Sequence, residues 1–238
     1  MRKTQFVNGE YYHIYNRSVE KIPIFLDEKD YLKFKRGLKD FNNKSYYEER
    51  AAMVRKYGFK ELSSFLEKVE KIVETVCYCL IPNHFHLILK QLVTNGIPNF
   101  LHKMGTSFTN FINKKYNRSG SLFQGPYKAI HIDNNDYLLW LSAYVNGNAE
   151  IHGIADAEKY QWSSYGAFLG VKQDGLITDR EIILRQFGEL NFKEPSSLSS
   201  LSSLMEGGRG QEYKKFVKVV IRESRKRKDL EKYLLEKI

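Results

Sequence analysis

Apolar and polar residues recur along this chain with two periods, near two in some stretches and between three and four in others. Glu10-Tyr-Tyr-His-Ile-Tyr-Asn-Arg17 is aromatic and β-branched and predicts a first strand. Tyr12, Ile14 and Asn16 fall on one of its faces, and Tyr11, His13, Tyr15 and Arg17 on the other. Beyond Asp27, a capping residue, Tyr31, Phe34 and Leu38 recur at helical spacing. Val73 to Ile81 and His84 to Lys90 are apolar runs parted by Pro82-Asn83, a turn dipeptide, and predict a β-hairpin. Pro98 to Tyr116 predicts a second helix with Phe100, Leu101, Met104, Phe108, Phe111 and Ile112 as its apolar stripe. Tyr127 to Ile132 alternates as a fourth strand. Asn134 or Asn135 then caps a third helix, from Asp136 to about Glu150. The order β-α-β-β-α-β with a trailing helix is that of an α+β fold, a ferredoxin-like split βαβ antiparallel sheet with helices on one face.

Two stretches stand apart from this pattern. Residues 42–71 are strongly charged, with Leu62, Phe65, Leu66 and Val69 at helical spacing, and read as a helical insertion or an extended first helix. Past residue 170 a small helical segment precedes a Ser- and Gly-rich linker over 194–210. A last helix, Glu212 to Lys237, carries Phe216, Val219, Val220, Leu230, Tyr233 and Leu234 as apolar positions. The expected organisation is a catalytic domain over 1–170 and a helical, basic extension over 171–238.

A hydrophobic content of 42% is enough for a core of that size. The formal charge of +10 and pI near 9.3 point to a polyanionic partner, DNA or RNA. No apolar run is long enough to span a membrane, and the N-terminal residues lack the apolar segment of a secretion signal. Cys77 and Cys79, the only cysteines, sit two apart on one strand. That is a poor disulfide framework, so a reduced, cytoplasmic protein is expected.

The hairpin carries the candidate chemistry. His84 and His86 project from the same side of a strand and make a half-site for a divalent metal; ordinary strand histidines are the other reading. On the third helix Tyr137, Leu141, Tyr144 and Asn148 share one face. A tyrosine hydroxyl can attack phosphorus, but its high free pKa calls for a group that balances the developing charges. An amide oxygen from Asn148 would complete a His-His-Asn site suited to Mg²⁺ or Mn²⁺. A core tyrosine on an amphipathic helix is the plain alternative. On the first strand His13 is either a DNA contact or a satisfied strand histidine, and Arg17 is a candidate DNA contact. So are Lys115, Arg118 and Lys128 around the loop Asn117–Pro126, where they would position the backbone rather than read sequence. The basic run Arg222–Lys228 is either a solvated helix face or a further backbone contact.

Several segments together resemble a known family. They are Tyr12-His-Ile-Tyr-Asn-Arg17, Ile81-Pro-Asn-His-Phe-His-Leu-Ile-Leu89, Ser121-Leu-Phe-Gln-Gly-Pro-Tyr-Lys-Ala-Ile130, Tyr144-Val-Asn-Gly-Asn148 and Trp162-Ser-Ser-Tyr165. In type and order they are similar to the single-tyrosine transposases of the HUH class, the small insertion-sequence transposases and their REP-associated relatives. The resemblance covers roughly residues 5–170. It implies that His84 and His86 bind a catalytic metal, that Tyr144 attacks a DNA phosphate, and that Asn148 is the further ligand. The implied activity is cleavage and rejoining of single-stranded, hairpin-bearing DNA through a 5′-phosphotyrosine, leaving a 3′-hydroxyl. Family members commonly act as homodimers, and REP-associated ones also alone. This chain departs from the family in having Asn148-Ala149 where relatives usually carry Asn-Pro, and in placing Gly147 inside the helix.

Two other readings follow from the same residues. With an even-numbered hairpin turn, Cys77 and Cys79 would share the histidine face, as a Cys₂His₂ zinc site requires. A sheet rich in Tyr and Phe can also stack bases, which suits a domesticated DNA- or RNA-binding protein that mobilises nothing. The tyrosine and the histidine pair speak against binding alone, which needs neither.

Overall fold

In a computed structural model of the protein, the described residues are 4–43, 70–177, 179–189 and 208–226. Nearly all of the expected charged insertion, most of the linker, and the end of the last helix lie outside them. The chain forms two compact units, residues 1–75 with 82–132 and residues 76–81 with 133–238.

Four strands make one sheet: β1 (Tyr11–Arg17), β2 (Val73–Ile81), β3 (His84–Gln91) and β4 (Lys128–Ile132), in the order β2-β3-β1-β4. β1 is central and antiparallel to both β3 and β4. With helix α1 (Glu28–Asp40) after β1 and α2 (Gly96–Lys115) after β3, the predicted βαββαβ order is present. Pro82 and Asn83 form the two-residue turn of the hairpin.

In the first unit, α1 and α2 cover one face of the sheet. Pairing sets Asn16 opposite Phe85, Ile14 opposite Leu87 and Tyr12 opposite Leu89, so these residues share that face. Phe34 of α1 lies 5.0 Å from both Phe85 and Phe108 of α2, measured between ring centres. Helix α2 starts at Gly96, two residues before the predicted Pro98. Pro98 is tolerated there because the first helical turn needs no N–H from it. Gly96 itself has no substitute: a Cβ at that position would sit 2.3 Å from the Ile72 carbonyl oxygen.

One buried carboxylate ties α1 to α2. Asp27 caps α1, and Asp30 closes the capping box. Asp30 is fully buried; its side chain accepts from the backbone N–H of Leu26 at 2.8 Å and of Asp27 at 3.2 Å. It also accepts from Tyr116 Oη at 2.8 Å and from Lys115 Nζ at 2.7 Å.

The second unit is built on the predicted third helix, with Asn134 as its cap. That helix is divided, and this corrects the continuous one expected: α3 runs Asn135–Asn146, α4 runs Asn148–Ile151, and Gly147 lies between in helical conformation. The last helix of the described residues, α8 (Arg209–Lys226), explains the glycine. A Cβ on Gly147 would meet Ile221 Cγ1 at 2.6 Å. Among the described residues three short helices come between: α5 (Tyr165–Phe168), α6 (Glu181–Leu184) and α7 (Gln186–Glu189). The buried stripe of α8 is Tyr213, Val217, Val220, Ile221 and Ser224, whereas Val219, expected to be inside, is exposed. No helix among the described residues is long and apolar enough to cross a membrane.

Two stability measurements follow. Asp30→Ala removes the buried acceptor of two backbone N–H groups and of the Tyr116 hydroxyl, while Lys115 keeps Asp27, so urea unfolding should show a loss of at least about 1–3 kcal/mol; Asp30→Asn, which keeps one acceptor oxygen, should lose less. Gly147→Ala should destabilise by about 1–3 kcal/mol through overpacking. In an Ile221→Ala background the same change should instead gain about 1 kcal/mol from helix propensity.

Candidate functional site

The face of the sheet turned away from α1 and α2 carries the polar chemistry of the first unit. β1–β3 pairing sets His86 opposite Tyr15 and His84 opposite Arg17; β1–β4 pairing sets Lys128 opposite Tyr15. Directly paired residues share a face, so His84, His86, His13, Tyr15, Arg17 and Lys128 lie together on it. His13, Tyr15 and His86 stack, with ring centres 4.9–5.7 Å apart. The His84 ring stands edge-on to His86 at 5.1 Å. All three histidines are buried.

Both hairpin imidazoles are held through Nδ1. His84 Nδ1 lies 2.7 Å from Asn83 Oδ1, and Asn83 Nδ2 donates to the Lys21 carbonyl at 3.0 Å, which fixes the amide's orientation. His86 Nδ1 lies 2.9 Å from His13 Nε2. Burial pushes the His13 imidazole down to about 3, so this ring is neutral at ordinary pH. Its Nδ1 is buried and has no hydrogen-bond partner among the described residues, and the same is true of Arg17 Nε.

The other basic residues divide. Lys128 is exposed at the start of β4. Lys115 Nζ lies 2.7 Å from the carboxylates of both Asp27 and Asp30, and so its charge is matched within the first unit. Arg118 follows α2, and its backbone N–H donates to the Asn113 carbonyl at 2.8 Å. The glycine loop runs beside the end of β1. Ser18 bridges to Phe123, Gln124 N–H donates to the Arg17 carbonyl at 3.0 Å, and Asn16 Nδ2 donates to the Gly125 carbonyl at 3.0 Å. The loop thereby fixes the backbone of Arg17.

In the second unit Tyr144 lies on α3, 2% exposed, stacked on Trp140 at 5.5 Å with the ring planes 11° apart. Asn148 opens α4 and is fully buried; neither Oδ1 nor Nδ2 has a hydrogen-bond partner among the described residues. Two residues earlier, Asn146 is satisfied at both ends. Its Nδ2 donates to Tyr213 Oη at 2.8 Å, and its Oδ1 accepts from Ser164 Oγ at 2.6 Å. Ser164 belongs to Trp162-Ser-Ser-Tyr165, which joins the edge of β2: Leu80 N–H donates to the Trp162 carbonyl and Ser164 N–H to the Tyr78 carbonyl, each at 2.9 Å. Arg225 of the basic run donates through Nε to the Glu150 carbonyl at 3.1 Å, at the end of α4.

No group of three or more His, Cys, Asp or Glu side chains among the described residues is placed to hold a metal ion. The Cys₂His₂ zinc arrangement is therefore not formed, although the turn is even-numbered. Both cysteines are buried, and burial raises the Cys79 thiol to about 12, keeping it protonated. In the first unit the two imidazoles anchored at Nδ1 are donors that suit a borderline divalent cation. In the second unit the buried Asn148 amide, a hard oxygen donor, has no hydrogen-bond partner among the described residues.

Sequence reasoning placed His13 as a DNA contact and did not find its bond to His86. The signal was present, since the strand face shared by His13 and Tyr15 meets His86 once the register is set. Trp140, four residues before Tyr144, was also legible as a stacking neighbour. The tie from Asn146 to Tyr213 spans 67 residues and had no local signal.

No family model matches the chain, and no curated protein matches it. Among solved structures it is similar to that of a REP-associated tyrosine transposase bound to a REP hairpin, at 10% identity. The match covers 75% of this chain and 97% of that one with a TM-score of 0.50, a likeness of fold.

Proposed function

We propose that this protein is a metal-dependent enzyme that cleaves and rejoins single-stranded, hairpin-bearing DNA, with Tyr144 as nucleophile. The observation that carries the reading is the His84–His86 pair, two buried imidazoles on one strand face, each engaged at Nδ1. The order of the sequence motifs and the likeness in fold support it.

His84, His86 and Asn148 are the residues that would hold Mg²⁺ or Mn²⁺, which when bound orients the scissile phosphate and balances charge on the leaving oxygen. Tyr144 supplies the new bond. Its Oη joins phosphorus as the bond from phosphorus to the 3′-oxygen breaks, and the phenol's proton ends on that oxygen. A 5′-phosphotyrosine and a 3′-hydroxyl result, so neither ATP nor hydrolysis is needed for rejoining. Stacking on Trp140 limits the rotation of the Tyr144 ring. Arg17 and Lys128 face the same side of the sheet as the histidines and offer positive charge to flanking phosphates.

Labelled hairpin DNA pools incubated with Mg²⁺ or Mn²⁺ and resolved on denaturing gels test this directly. Wild type should give a denaturant-resistant protein–DNA adduct that EDTA prevents and Tyr144→Phe abolishes. His84→Ala should lower adduct formation by more than about a hundredfold, beyond the 10–100-fold typical of a group behind a metal ligand. An adduct that survives Tyr144→Phe would assign the nucleophile elsewhere. DNA binding with no adduct across the pool would favour the binding-protein reading. Separately, Lys128→Ala should weaken DNA binding across sequences and reduce the slope of log affinity against log salt by about 1.

A further inference from the structure

His13 and His86 meet through one hydrogen, between His13 Nε2 and His86 Nδ1 at 2.9 Å. Which ring carries it decides what His86 offers at its other nitrogen. If His13 donates, a neutral His86 accepts at Nδ1 and holds its proton on Nε2, where it blocks a cation. If His86 Nδ1–H donates, the lone pair is on Nε2 and the ring can ligate. No such choice exists at His84. Asn83 Oδ1 only accepts and its Nδ2 is committed to the Lys21 carbonyl, so His84 carries its proton on Nδ1 and its lone pair on Nε2.

We infer that His13 is a positioning residue for the metal site: as acceptor for His86 Nδ1–H, it sets the tautomer in which His86 can bind a cation. This rests on the metal reading proposed above. His13 differs from Asn83 in one respect that gives the device its character. Its own Nδ1 is buried without a partner among the described residues. In the ligating arrangement that nitrogen carries the ring's hydrogen; in the blocking arrangement it is a bare acceptor and the outer hydrogen sits on His86 Nε2 instead. Hydrogen bonding within the pair therefore does not choose between the two forms, and a cation at His86 Nε2 selects the ligating one. Both rings exchange tautomers in the process, with no net proton released by the pair. The imidazole planes lie within 14° of each other, so the bridging hydrogen can move between the rings without their turning; the exchange is completed as the His86 Nε2 proton leaves to solvent and His13 Nδ1 takes one up.

The test uses the full chain and the metal alone, without DNA. Mn²⁺ affinity is read from the free-ion EPR signal, and the His86 tautomer from long-range ¹⁵N–¹H NMR spectra with and without Mg²⁺. His13→Phe keeps a flat ring but removes the acceptor, and should weaken Mn²⁺ binding by about tenfold or more. His13→Gln places an amide oxygen at similar reach and should restore affinity to within about threefold of wild type, inside the 10–100-fold span that loss of such a partner costs. In wild type, saturating Mg²⁺ should hold His86 in the Nδ1–H form, a readout that needs no variant to fold. His13→Phe binding as tightly as wild type would overturn the inference, as would equal losses in the Phe and Gln variants or His86 remaining protonated on Nε2 at saturating Mg²⁺. Wild type that binds no Mn²⁺, or binds it equally well as His84→Ala, would overturn the metal reading and this inference with it.

Discussion

The constraint on which the described chemistry depends is the register of β1 between β3 and β4. Strand side chains alternate with a period of two, so slipping β1 by one residue would exchange its two faces completely. Tyr12, Ile14 and Asn16 would then leave the side covered by α1 and α2, and His13, Tyr15 and Arg17 would enter it. Register is strongly specified because the interior of β1 is buried, with large rings and β-branched residues filling one side. The packing of Phe34 against Phe85 and Phe108 thus fixes, indirectly, which imidazoles meet on the opposite side. The polar face is positioned by the apolar one.

That logic explains which parts of the structure were legible in the sequence. The alternation from Tyr11 to Arg17 and the paired runs around Pro82-Asn83 are local patterns, and they gave the strands and the shared face of His84 and His86. Helix α1 was legible because Asp27 caps it and Tyr31, Phe34 and Leu38 repeat at helical spacing. What local pattern could not give is the pairing of distant elements. Helix α8 looked amphipathic on Phe216, Val219 and Val220, yet its inner stripe is set by Tyr213, which finds Asn146 and Ser142. For the same reason Gly147 read as a defect within a helix. It is a packing requirement, created by Ile221 from 74 positions further along the chain.

The second unit illustrates how buried polar groups are made tolerable. Tyr213 Oη accepts from Asn146 and donates to Ser142, and Asn146 in turn accepts from Ser164. Burial pushes the Tyr213 hydroxyl well above its ordinary range, so it remains a donor at all working pH values. Every step of this chain is matched, which makes it a specifying element between α3, α8 and the segment beside β2. It also tethers the helical turn that lies between Tyr144 and Asn148, through a residue that sequence reading passed over.

Against that background the unmatched groups stand out. Leaving a buried polar atom without a partner costs roughly 1–3 kcal/mol, and the price is usually avoided in folded proteins. Single unmatched atoms also occur away from the candidate residues, at Asn113 and Ser224, so one orphan marks nothing. Asn148 differs in kind: both ends of its amide are buried and unmatched among the described residues, two residues from an asparagine that is matched at both ends. Leucine would fill a similar volume there without a polar cost. His13 Nδ1 and Arg17 Nε are also buried without a hydrogen-bond partner among the described residues, on the sheet. Retaining an amide, an imidazole and a guanidinium in these places is uneconomical for the fold alone. Under the function proposed above, a cation would use the Asn148 oxygen and a phosphate the Arg17 guanidinium.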